Sequence, residues 1–209
     1  MSSGAFVAAD FKLFDLKGFR PRMDALGTRV RPKLDALGRS LAPAVARSVG
    51  GETFAHVAKH ARRTVTPPDD TWVAFGPDRR GYKKHCHFKV AVSRNAVRFL
   101  FEVGPEHADK RRWAAAWKRS APRLGPVLRR VRNLAWFKAE HDEEPAALLA
   151  SLPPEALAEL ADALTRTRDG QFVVGRVVPA TEAARWTGAQ YRAAALETFR
   201  ALAPLYRLR

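Results

Sequence analysis

One cysteine, Cys86, is the only thiol in the 209-residue chain, so no internal disulfide can form and nothing calls for an oxidising compartment. No apolar run approaches the roughly 18 residues that cross a bilayer. The first ten residues hold neither the basic stretch nor the apolar core of a secretory signal. These absences lead to the expectation of a cytoplasmic protein without membrane insertion. Acid is scarce too: 21 Asp/Glu stand against 37 Lys/Arg, for a formal net charge of +16. A field of that sign attracts nucleic acid, nucleotides, acidic membrane surfaces or acidic proteins over about a Debye length. The deficit is uneven. Residues 1 to 141 hold 29 Lys/Arg and 12 Asp/Glu, whereas the last 68 hold eight and nine, so a basic face belongs to the first two thirds.

Apolar composition of 46% is ample for a core in a chain of this length. From Arg20 to Val49, Leu26, Val30, Leu34, Leu37, Leu41 and Val45 recur at three and four, predicting helix that Gly27 and Pro32 should break in two. The period then falls to two. Thr71 to Phe75, Cys86 to Ser93 and Ala96 to Val103 read as strands, and the short Arg94-Asn95 link makes the last two a hairpin. In it Cys86, Phe88, Val90 and Val92 alternate with His85, His87, Lys89 and Ala91, and Val97, Phe99, Phe101 and Val103 with Arg98 and Glu102. Thr53 to Ala61 fits a strand, with Phe54, His56, Ala58 and His60 on one face, as well as an Ala-rich helix that would also set His56 beside His60, and strand is preferred. Helix near His107 to Arg119, strand near Leu134 to Ala139, helix at Pro154 to Thr165, strand at Gln171 to Val178 and helix from Thr181 to Leu202 complete the pattern, with 141 to 154 as a surface connection. The class is α+β: one domain over residues 1–209, with a mixed, largely antiparallel sheet between N- and C-terminal helices.

Two short segments gather most of the polar chemistry. His56-Val-Ala-Lys-His60-Ala-Arg62-Arg63 and Gly81-Tyr-Lys83-Lys84-His85-Cys-His87-Phe88 hold four of the six histidines. Lysine and arginine there supply charge-assisted donors to phosphate or carboxylate oxygens, and imidazoles add directional ones. The Gly76-Pro-Asp-Arg-Arg-Gly81 loop matches no phosphate-binding fingerprint, and no cofactor is implied. His56/His60 and His85/His87 each put two imidazoles on one face, as metal-binding pairs do. However, Lys59, Lys83, Lys84, Arg62 and Arg63 would repel a dication and neither segment holds an acid, so no metal ligands are assigned. Cys86 shares its face with Phe88 and Val90 and reads as a small core residue. The Lys110-Arg-Arg-Trp113 to Trp117-Lys-Arg119 helix is basic and aromatic, as nucleic-acid contacts are, but tryptophans four apart suit a core stripe.

Arg31-Pro-Lys-Leu-Asp-Ala-Leu-Gly38, His56 to Arg63, Pro67-Pro-Asp-Asp-Thr-Trp-Val-Ala74, Arg80 to His85 with His87-Phe88, and the terminal Glu197-Thr-Phe with Leu202 to Leu208 resemble the YktB-like family of uncharacterised bacterial proteins. The resemblance covers nearly the whole chain. It implies a compact α+β fold without an established activity, with the two His/Lys segments as the ligand face. The family typically has proline at the position of Cys86, which weakens a thiol mechanism. The expectation is therefore a binding protein for an anionic, phosphate-bearing ligand, nucleic acid or nucleotide, held by Lys59, His60, Arg62, Lys83, Lys84, His85 and His87. An enzyme acting on an anionic small molecule through the same cluster, with or without a metal, is the alternative. The four clustered histidines should converge on the side of the sheet opposite Phe88, Val90 and Val92.

Overall fold

A computed structural model describes residues 4–208. Its elements are α1 (Ala8–Lys12), α2 (Phe19–Ala25), α3 (Arg31–Val49), β1 (Phe54–Val57), β2 (Asp70–Gly76), β3 (His87–Ser93), β4 (Ala96–Val103), α4 (Lys110–Arg130), β5 (Ala135–Phe137), β6 (Ala147–Leu148), α5 (Pro154–Glu159), α6 (Ala163–Arg166), β7 (Phe172–Pro179), α7 (Ala180–Ala183) and α8 (Gly188–Tyr206). The strands form one sheet in the order β1-β2-β3-β4-β7-β5-β6, and every ladder is antiparallel. The class is α+β. No helix among the described residues is long and apolar enough to cross a membrane.

Alternation divides the sheet into two unlike faces. Val73 and Phe75 of β2, Phe88, Val90 and Val92 of β3, Val97, Phe99 and Phe101 of β4 and Phe172 and Val174 of β7 are buried in one core with α3, α4 and α8. The six stripe residues from Leu26 to Val45 are at most 2% exposed. Pro32 and Gly27 do not separate two helices: a π turn over Leu26–Val30 carries the chain from α2 into α3. Pro32 lacks the N–H that would bond four residues back, and the wider turn absorbs that loss while keeping the stripe aligned. Similarly α4 does not end near Arg119 but continues through Pro122 and Pro126 to Arg130. Ala121, Leu124, Gly125 and Leu128 extend the buried row of Trp113 and Trp117, and this packing outweighs about 3 kcal/mol per interior proline. Trp113 Nε1–H donates to the Leu205 carbonyl at 3.3 Å and Trp117 Nε1–H to that of Leu157 at 3.2 Å, so both rings are core anchors.

The second face carries His56, Asp70, Trp72, His87, Lys89, Arg98 and Glu102 from the first four strands, with a small apolar cluster of Leu100, Ala135, Phe137 and Val173 beside them. It is closed by the 77–86 turn and by residues 138–146. The connection expected after residue 141 includes the unforeseen short strand β6 paired to β5.

Gly175 sits opposite Leu100 where β4, β7 and β5 meet. A Cβ there would lie 2.9 Å from Leu100 Cα and closer still to the Phe99 carbonyl oxygen, both backbone atoms that cannot turn aside. Gly175→Ala should therefore cost about 2 to 3 kcal/mol in urea unfolding, the range of an overpacked core. A loss under about 0.5 kcal/mol would show that the ladder tolerates the methyl group.

Candidate functional site

The two His/Lys segments meet at the free edge of β1. The strand expected from Thr53 to Ala61 stops at Val57: Ala58 N–H still donates to the Trp72 carbonyl at 2.9 Å, but His60 takes a left-handed backbone with φ 52°, turning the chain off the sheet. Arg31 fixes the turn by donating to the Lys59 carbonyl at 2.8 Å. His60 is thereby set edge-on to Trp72, with ring centroids 5.2 Å apart and Nε2 3.2 Å from Thr71 Oγ1.

Lys59, His60, Arg62 and Arg63 line a cleft of about 420 Å³ together with Trp72, Tyr82, Lys83 and Glu106. Lys84 and His85 line an adjoining cleft of about 440 Å³ with Asp78 and Arg80, and Tyr82, Lys83 and Glu106 belong to both. Lys83 Nζ is 2.8 Å from Glu106, the acidic side chain common to both clefts. Tyr82 is the hub. Its hydroxyl accepts from Trp72 Nε1–H at 2.7 Å, and its ring lies 4.6 Å from His87 and 5.6 Å from His56. His56 Nε2–H donates to the Asp78 carbonyl at 3.0 Å. His56, His60 and His87 thus surround the Trp72–Tyr82 pair.

His87 does not line the main cleft. It is 1% exposed, beneath Tyr82, with Nδ1 3.0 Å from the His85 carbonyl and Nε2 3.2 Å from Glu102, and it borders a cavity of only about 60 Å³. A direct ligand contact is closed to it by the phenol above. Trp72, Tyr82, Arg63 and Glu106 do line the cleft and were absent from the expected set.

Below the aromatic pair lies a layer of buried charge. Lys89 and Arg98 have no exposure at all. Lys89 Nζ is 3.0 Å from Glu102, in contact with Glu140, and 4.6 Å from the Trp72 ring centroid. Arg98 pairs with Asp70 at 2.6 Å and donates to the carbonyls of Glu140 and Asp142 at 2.7 and 3.0 Å. His141 closes the layer from outside, 3.0 Å from Asp70. Burial raises the Glu102 carboxyl, but Lys89 and His87 outweigh it and hold the group well below the usual carboxylate range. Asp70 is lowered the same way, burial being overcome by His141 and Arg98. Burial lowers His60 to about 4, helped by Arg31 and Arg63, whereas burial raises the Tyr82 phenol to about 12.

Cys86 is no activated nucleophile, because burial raises its thiol to about 12. His107 Nδ1 accepts from the Asp109 N–H at 3.1 Å, so Nε2 carries the proton and faces the sulfur at 3.4 Å instead of taking its hydrogen. Among the described residues, no three His, Cys, Asp or Glu are grouped to hold a metal ion.

Breaking the layer from one side strands a charge. Lys89→Met should cost about 3 to 5 kcal/mol in urea unfolding, and adding Glu102→Leu should return much of it. A single-variant loss under about 1 kcal/mol would mean that water already reaches Glu102. The acid profile should have two windows. The unfolded chain protonates its histidine near 6.5, whereas folded His60 waits until about 4. The unfolded state therefore binds more protons between about 6.5 and 4, and stability falls as pH is lowered through that window. The depressed Asp70 and Glu102 contribute stability that is present above about 4 and lost below it, as pH falls through their folded values. His60→Gln should shrink the first window in thermal melts, leaving the part contributed by His56 and His107, which burial also lowers, and should leave the second.

A family model described as "Domain of unknown function (DUF1054)" matches residues 6–206. The UPF0637 protein of Macrococcus caseolyticus is 34% identical over 206 residues, covering 99% of this chain and 100% of that relative. That of Lysinibacillus sphaericus is 33% identical over 197 residues, 94% of this chain and 92% of its own, and that of Bacillus licheniformis is 33% identical over 208 residues, 100% and 97%. The match takes in both His/Lys segments, the sheet and α8, and the chain belongs to this bacterial family of unknown function.

Proposed function

We propose that the protein binds a phosphate-bearing ligand, a nucleotide or a segment of nucleic acid, in the cleft between the 58–63 turn and Lys83. The observation that carries this reading is the lining itself: Lys59, Arg62, Arg63 and Lys83 converge there against a single carboxylate, Glu106. Ammonium and guanidinium groups donate charge-assisted hydrogen bonds to phosphate oxygens, and arginine does so bidentately. The Tyr82 hydroxyl takes the Trp72 N–H, and its own hydrogen has no acceptor among the described residues, leaving it to meet a ligand oxygen. Lys84 and His85 extend the basic lining into the adjoining cleft, and His87 supports Tyr82 from below. Binding is favoured over reaction because His87, Lys89 and Glu102 are buried against one another, while in the cleft His60 Nε2 is held at Thr71 Oγ1 and Glu106 is paired with Lys83. A cytoplasmic setting, rich in nucleotides and nucleic acid, belongs to the same reading.

Titration with ATP, tripolyphosphate and a short oligonucleotide tests this. Lys59→Gln with Arg62→Gln should weaken binding about 5- to 30-fold, the worth of one or two charged hydrogen bonds near 1 to 2 kcal/mol in all. Glu106→Gln should strengthen it, because it releases Lys83 and removes the carboxylate that repels the ligand. A bound anion raises the His60 pKa, so affinity for the oligonucleotide, whose phosphodiesters keep their charge throughout this range, should be higher at pH 5.5 than at pH 7.5. No binding at low salt, or equal affinity in all three proteins, would reject the cleft.

A further inference from the structure

We propose that the outer face of α4 is a docking surface for the phosphate backbone of duplex nucleic acid. The helix carries eight Lys/Arg and no Asp/Glu in 21 residues. At 100° per residue, Arg112, Arg119, Arg123 and Arg130 fall within an arc of about 40°, in a line about 27 Å long. All four are exposed, and none makes a salt bridge or side-chain hydrogen bond to another described residue. The basic side chains that do have partners flank this line: Lys118 meets Asp162 at 2.5 Å, Arg129 donates to the Ala150 carbonyl at 3.3 Å and Lys110 to that of Arg168 at 2.7 Å.

Such a face works against the helix that bears it. Arg111 and Arg112 sit in the first turn, where the helix dipole disfavours cations, and Arg119 and Arg123 are like charges four apart. A face kept for solubility alone mixes signs, as α3 does with its Asp35–Arg39 pair. Beside the arginines the exposed apolar residues are Ala115, Pro122, Pro126 and Val127, all shorter than the arginines, so a rod-shaped polyanion can approach closely. A duplex carries one phosphate per about 1.7 Å of axis, so a stretch as long as this line carries about 16, of which those on the near side face the helix. The forked guanidinium matches phosphate bidentately. A lipid surface fits less well, because Trp113 and Trp117 are committed to the core and Val127 is the only large apolar side chain exposed on α4.

The surface lies on the helical side of the sheet, the cleft on the other, so the two are separable. They adjoin at one end: Ala108 N–H donates to the Lys84 carbonyl at 3.0 Å two residues before α4 begins. The test is fluorescence anisotropy with 20-base-pair DNA and RNA duplexes across a salt series, beside flotation with phosphatidylserine-containing vesicles. The full chain should bind duplex. Replacing all four arginines by glutamine should cut affinity at least tenfold at low salt and reduce the log K against log salt slope by about 3 to 4. The two pair variants, Arg112→Gln with Arg119→Gln and Arg123→Gln with Arg130→Gln, should each remove about half of that slope, which guards against misfolding of the fourfold variant. The Lys59→Gln, Arg62→Gln protein should keep the α4 share of the slope, so a failed cleft is distinguished from a failed helix. An unchanged slope in the folded variants, no duplex binding by the parent chain, or arginine-dependent binding to vesicles but not duplex would overturn the proposal.

Discussion

A lysine ammonium with no access to water has to be met by carboxylates, and Lys89 is met from two directions. Glu102 comes from the neighbouring strand and Glu140 from the segment that folds over the sheet. The hairpin must bring His87 opposite Glu102 and Lys89 opposite Leu100, because a one-residue slip would turn Lys89 and Glu102 into the apolar core. The 138–146 segment must stay closed, since it supplies Glu140 and the carbonyls that satisfy Arg98. Trp72 must cover Lys89, and Tyr82 is fixed in turn by the Trp72 N–H. An interior of this kind adds little net stability over apolar packing, but it punishes every partial arrangement. Here that specificity gives the cleft a floor that is held from underneath.

The consequence is a division of labour between inner and outer polar groups. Inside, charges are matched and immobile. Outside, Lys59, Arg62, Arg63 and Lys84 are exposed long side chains on turns, held by no side-chain partner among the described residues. Glu106 stands between the two conditions, the one partner of the Lys83 ammonium among the described residues.

Much of this was legible in the chain. The two-residue Arg94-Asn95 link fixes the hairpin register, and pairing Val92 with Val97 already puts His87 against Glu102 and Ala91 against Arg98. The signal for the charge layer was present there as opposite charges alternating with apolar residues. What periodicity could not supply was the cover: Glu140 and His141 lie far along the chain, and no local pattern says that a connection will fold back onto a sheet face. The same limit applies to Tyr82 and Trp72, which join only because the 77–86 turn bends over β2. The helix errors have another origin. The local cost of Gly27 and Pro32 predicts a break, whereas the α2–α3 run is decided by the apolar stripe it buries, with a π turn taking up the misfit, and α4 runs on past Arg119 because Leu124 and Leu128 extend its own buried row. His60 fails as strand for a backbone reason, its left-handed φ, which sequence alone seldom reveals outside glycine and asparagine.

Where the acids go explains where the positive field appears. Among the described residues the buried charged side chains are Asp10, Asp70 and Glu102 against Arg22, Lys89 and Arg98, and these cancel. The formal excess of +16 is therefore carried by the surface. Several surface acids are also committed to fixed partners: Asp162 to Lys118, Glu143 to Asn95, Asp35 to Arg39 and Asp15 to Arg94. They stabilise particular turns and helices, and of these four only Asp162 meets a cation of α4. Exposed cations without a partner among the described residues are spread over the surface, Lys12, Arg20, Arg47, Arg192 and Arg200 among them, and the 58–63 turn, Lys84 and α4 bring several close together, so that charge of one sign acts there mainly at long range. Such charge speeds encounter with a polyanion and weakens as salt rises, and under the proposed binding the choice among anions would fall to the directional groups in the cleft, Tyr82 and His60.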